Sequence, residues 1–168
     1  CPVPPSTTRT LFEHLLLGCC LENSTPKAAE QVFDALSEQF FDWNEVRVST
    51  VRELAEAMRP LTDPEDAARR LRDVLQSVFE SAYAFDLEEL KKQNIGQAVK
   101  QLEGHRGATA FAVSYVVQAA LGGHSIPVNR GAIRALVVVG AVSDAEAGEG
   151  RVPGLERAIP KVKGIEAG

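Results

Sequence analysis

Apolar positions along this chain recur with the 3.6-residue period of helices lying on a core. Leu11, Phe12, Leu15, Leu16 and Cys19 share one face. Ala28, Val32, Leu36 and Phe40 form a second stripe, and Leu71, Val74, Leu75, Val78 and Phe79 a third. No segment alternates apolar and polar residues over the length of a strand. The pattern predicts an all-α domain of eight to ten short helices.

Polar punctuation sets the boundaries. Ser24 or Thr25 caps a helix that carries Pro26 in its first turn and runs to about Phe41. Asp42, Trp43 and Asn44 read as a loop. Thr50 and Glu53 form a capping box, and that helix ends before Pro60. Asp63-Pro64-Glu65-Asp66 opens a longer helix, with acids against the positive end of its dipole. Asp86 and Asn94 each cap a short helix, the second running through Leu102. Helices are expected at about 109–121 and 130–140, then from a capping box at Ser143 and Glu146, and finally from Pro153 to about Ile159. The expected organisation is a Pro-rich lead-in over 1–8, one helical domain over 9–163 and a frayed tail over 164–168. The chain opens on Cys1 rather than Met, which suggests a piece of a longer protein.

The 168 residues are enough to bury a core without a metal or disulfide staple. No apolar run reaches the ~18 residues of a membrane span, so no membrane partner and a cytoplasmic location are expected. The three cysteines, Cys1, Cys19 and Cys20, read as thiols rather than a disulfide framework. Metal ligation would need more than His14 beside them. The net charge of −5 is the wrong sign for a nucleic-acid binder taken whole. Its distribution changes that picture. Between 91 and 134 stand Lys91, Lys92, Lys100, Arg106, Arg130 and Arg134 against the single acid Glu103. A basic segment in an acidic protein fits a local phosphate contact or a solvated face.

That segment carries the most informative stretch, LEGHRGATAFAVSYVVQAALGGHSIPVNRGAIR, residues 102–134. It reads as a helix end, a tight turn at His105-Arg106-Gly107, a long apolar helix, a Gly122-Gly123 stop, a short extended piece over 125–128 and a new helix from Asn129. This order resembles the helix-hairpin-helix and the following Gly/Pro…Asp loop of the endonuclease III-like DNA glycosylase superfamily. LGGHSIPVN, residues 121–129, is similar to that loop. LLLGCCLE, residues 15–22, followed by Pro26-Lys27-Ala28-Ala29, is similar to the family's Leu-Leu-Ser-x-Gln-x-Thr-Asp…Lys-Ala segment.

The resemblance implies a DNA-glycosylase fold. It also implies phosphate binding by backbone N–H groups at a Gly-bearing turn and at the N-terminus of the next helix. An ungapped match puts the hairpin triplet on Gly107-Ala108-Thr109, the family's strand-cleaving Lys on Phe111 and its catalytic Asp on Asn129. A looser match from Leu102-Glu103-Gly104 puts the Lys position on Ala108. Neither yields a lysine, and Asn129 has no charge to stabilise a cationic sugar or activate a nucleophile. The family's duplex-inserted Gln falls on Cys19, a short thiol that cannot hydrogen-bond an orphaned base. The family's iron–sulfur loop uses four cysteines after the last helix, whereas no cysteine follows Cys20 here, so no cofactor is expected.

The reading is therefore a protein related to base-excision repair glycosylases that binds the backbone of double-stranded DNA weakly and without sequence preference. Arg106, Gly107, Ala108, Thr109 and Arg130 are its expected contacts, it has no catalytic residues, and it would be nucleoid-associated. Two alternatives stay open. One is a helical module that binds an unknown protein, with Phe111 filling the old pocket. The other is an active glycosylase whose carboxylate comes from elsewhere, such as Glu22 or Asp144.

Overall fold

The computed structural model describes residues 9–123, and those residues are helical with no strand among them. The helices are α1 (Leu11–Leu21), α2 (Pro26–Gln39), α3 (Trp43–Val48), α4 (Val51–Ala57), α5 (Pro64–Ala82), α6 (Ile95–Glu103) and α7 (Ala110–Ala119), with a 3-10 turn over Glu88–Lys92 before α6. The helices expected beyond residue 123, the lead-in and the tail lie outside the described residues.

Side-chain caps set most of the boundaries. Thr25 accepts from the Ala28 N–H, Asp63 from that of Asp66 and Asn94 from that of Gln97. Thr50 and Glu53 close their capping box. A second box, Thr10 with Glu13, opens α1 and was equally present in the sequence. Two expectations are corrected. Asp42, Trp43 and Asn44 do not form a loop: the Asp42 carboxylate accepts from the Glu45 N–H and starts α3, a helix of only 6 residues. The segment after Asp86 closes as a 3-10 turn, with the Asp86 carboxylate accepting from the Glu88 N–H at 2.8 Å.

α1 is the centre of the fold. Leu15, Leu16 and Leu17 point in different directions around it, yet all three are buried. A helix apolar on every side is one surrounded by others, and α1 packs against α2, α5 and α7. Each buried leucine contributes about 1.5–3 kcal/mol of apolar transfer. The helices α1 and α7 come close at Gly18, where an added Cβ would lie 3.1 Å from the Cα of Ala112. Small residues on both helices let α7 lie directly on α1. The start of α7, and the hairpin turn before it, are thereby fixed to the core.

Candidate nucleic-acid interface

Residues 104–109 join α6 to α7 in a compact turn. The Ala108 N–H donates to the His105 carbonyl at 3.1 Å. Gly107 takes φ +86°, a left-handed conformation that only glycine adopts without strain. Gly104 has φ −72°, which any residue adopts. The turn thus uses one glycine for its shape. Thr109 stands next to it as the N-cap of α7, its hydroxyl accepting from the Ala112 N–H at 3.2 Å.

The turn is seated on α5. An added Cβ on Gly107 would meet the Arg70 carbonyl at 2.6 Å and the Asp73 Cβ at 2.9 Å. The Ser77 hydroxyl accepts from the Arg106 N–H at 3.2 Å and lies 3.3 Å from the His105 Nδ1. Burial makes the charged imidazole costly and holds the His105 pKa below its ordinary value. These contacts close the side of the turn that faces α5.

Gly107 to Phe111 remain partly exposed among the described residues. The N–H groups of Gly107, Thr109, Ala110 and Phe111 have no protein acceptor among the described residues. Orphan donors at the start of a helix, with the positive end of its dipole, make an anion site. The Arg106 side chain is exposed beside them and pairs with Glu80 at 3.5 Å. Of the expected contacts, Arg106, Gly107, Ala108 and Thr109 are therefore brought together, although the Ala108 N–H is already used within the turn. Arg130, Asn129, Arg134 and Asp144 lie outside the described residues. Phe111 falls in the first turn of α7 and is partly exposed.

Two other sequence candidates are buried. Cys19 has no exposed surface, and burial pushes its thiol pKa up to about 12. Cys20 is also fully buried and its thiol is raised in the same direction. A side chain so enclosed cannot enter a duplex. Glu22 is 5% exposed, and its Oε2 is 3.9 Å from the Nε of Arg70, which also pairs with Asp66. A carboxylate enclosed beside a guanidinium is poorly placed to meet a flipped base.

The sequence reading missed a basic cleft. Arg47 of α3, Arg69, Arg72 and Gln76 of α5, and Arg106 of the turn line it, together with Val51 and Asp73. Its volume is about 370 Å³. The spacing of 69, 72 and 76 along one helix face was a signal in the sequence. Arg47, separated from them by some twenty residues of chain, gave none.

No family model matches the sequence, and no curated protein matches it. Solved structures do. The chain is similar to endonuclease III in a non-covalent complex with DNA, with a TM-score of 0.67 at 19% identity, over 95% of this chain and 70% of that one. It is similar to the 3-methyladenine DNA glycosylase of H. pylori bound to 1,N6-ethenoadenine, with a TM-score of 0.62 at 17% identity, over 94% and 81% of the two chains. The 8-oxoguanine glycosylase/lyase of Clostridium acetobutylicum gives a TM-score of 0.66 at 14% identity, over 95% and 60%. The chain has the all-helical fold of the endonuclease III-like DNA glycosylases.

Proposed function

We propose that this chain is a helix-hairpin-helix protein related to base-excision repair glycosylases, which binds the phosphate backbone of double-stranded DNA without excising a base. The observation that carries the reading is the open set of N–H donors at Gly107, Thr109 and the first turn of α7, beside the exposed Arg106. Such a site reads phosphate rather than base identity, so the binding is weak and indifferent to sequence. The Ala108 methyl is small enough to let a phosphate approach the turn, and Arg130 is assigned a supporting contact from the sequence alone. The cytoplasm, in association with the nucleoid through its DNA, is the corresponding place of action.

The loss of chemistry rests on replacements. The left-handed glycine is Gly107 and not Gly104, which supports the register that puts Phe111 at the strand-cleaving Lys position. Phe111 has no nucleophilic group, and Asn129 at the Asp position has no charge. No iron–sulfur cluster or other cofactor belongs to this reading. Incubation with duplexes carrying uracil, oxidised guanine, thymine glycol or an abasic site tests it. Intact strands are expected, and release of any of these bases, or cleavage at the abasic site, overturns the inactive reading.

Exposed apolar groups favour a second reading, a helical module for an unknown protein partner. Phe41 is 94% exposed and Tyr83 82%. Absence of duplex binding at low salt would select this reading over the first.

A further inference from the structure

The basic cleft holds two arginines without a carboxylate partner among the described residues. Arg47 is held by neutral groups: its guanidinium donates to Gln76 Oε1 at 2.7 Å and to Asn44 Oδ1 at 2.8 and 3.1 Å, and it lies 4.4 Å from the centroid of the Phe79 ring. Arg72 makes no ion pair there, and its Nε is buried with no hydrogen-bond acceptor. Among the described residues, Arg69 and Arg106 pair with the exposed acids Glu65, at 3.2 Å, and Glu80, at 3.5 Å. Solvated pairs of this kind give way easily to a multivalent anion. Asp73 is the one acid among the lining residues.

Four guanidiniums around one concavity repel one another, and an orphaned buried donor is costly. A planar, forked cation set of this type matches phosphate oxygens bidentately. We infer that the cleft between α3, α5 and the hairpin turn is a second phosphate subsite, which takes a backbone phosphodiester of the same duplex strand that the hairpin holds. Arg106 belongs to both sites: its N–H is fixed to Ser77 in the turn, while its side chain lines the cleft. The strand path therefore leaves the hairpin along the flank of α5. This inference rests on the proposed duplex binding and extends its footprint.

The test is fluorescence anisotropy of an undamaged duplex across a salt series, with the wild type and four variants. Arg72→Gln removes the charge that lacks a partner, and Arg72→Lys restores it. Arg69→Gln probes the same cleft from an exposed position, so a failure of Arg72→Gln to fold leaves a readout. Thr109→Asp keeps the helix cap but sets a carboxylate at the hairpin site. Both glutamine variants are expected to bind about 3–10-fold more weakly near 50 mM salt, with a slope shallower by about one phosphate, while Arg72→Lys keeps the wild-type slope. Wild-type slopes in both glutamine variants, alongside a weakened Thr109→Asp, overturn the cleft and leave the hairpin reading standing. A weakened Arg72→Gln or Arg69→Gln alongside an unchanged Thr109→Asp supports the cleft and removes the hairpin. No duplex binding by the wild type overturns both.

Discussion

The carbonyl oxygen of Arg70 occupies the place where Gly107 would carry a side chain: a Cβ built there would stand 2.6 Å from it. Gly107 also has φ +86°. The glycine therefore does two things, turning the hairpin and letting it sit on the backbone of α5. Gly107→Ala should destabilise the protein by about 1–3 kcal/mol from the left-handed conformation alone, with the clash adding to it. Urea unfolding followed by circular dichroism checks this. A midpoint equal to the wild type would mean that the turn is not seated as described.

His105 gives the hairpin a pH dependence. Burial lowers its pKa, so the folded protein binds fewer protons than the unfolded chain in the window between the folded value and about 6.5. Its contribution to stability is complete above that window and falls as pH drops through it. Comparing urea midpoints near pH 7.5 and pH 5 for the wild type and His105→Gln isolates this term, because every other titrating group is common to both. The wild type should lose more stability on acidification than the variant. An equal loss would show that the imidazole is not buried in the fold.

Gly18 tests the packing of α1 on α7. Its missing Cβ would lie 3.1–3.2 Å from the Cα, Cβ and carbonyl oxygen of Ala112. Gly18→Val must push the two helices apart, at a cost of about 1–3 kcal/mol or more. A thermal unfolding scan should show a clear fall in Tm. Duplex affinity measured well below that Tm should fall as well, because α7 carries the hairpin donors.

Much of this fold was legible one helix at a time. Thr25-Pro26, Thr50 with Glu53 and Asp63-Pro64 announce their helices because a cap is a local event, settled within four residues. The α3 start was missed because Asp42 caps a helix of only 6 residues, too short to show a periodic stripe. The burial of Leu17 on the far side of α1 was missed for the opposite reason: an all-round apolar helix has no preferred face to read. The candidate site divides in the same way. Gly107 and Arg106 stand next to each other in sequence. The seat on Arg70, the bond to Ser77 and the cleft that Arg47 lines together with Arg72 are products of tertiary packing between distant segments.

The lost chemistry can be challenged by restoring it. Phe111→Lys with Asn129→Asp returns an amine nucleophile and a carboxylate to the positions that the resemblance assigns them. Release of a damaged base, or cleavage at an abasic site, should appear in the double variant and be absent in the wild type. No activity in either would mean that the replacements reach beyond these two side chains to the shape of the pocket.

The central claim is that the hairpin and its basic margin hold duplex backbone. The most direct measurement is the affinity for an undamaged duplex as a function of salt. Two or three phosphate contacts predict a linear fall of log K with log salt, at a slope of about −2 to −3. Absence of binding near 50 mM salt, or affinity independent of salt, would contradict the claim.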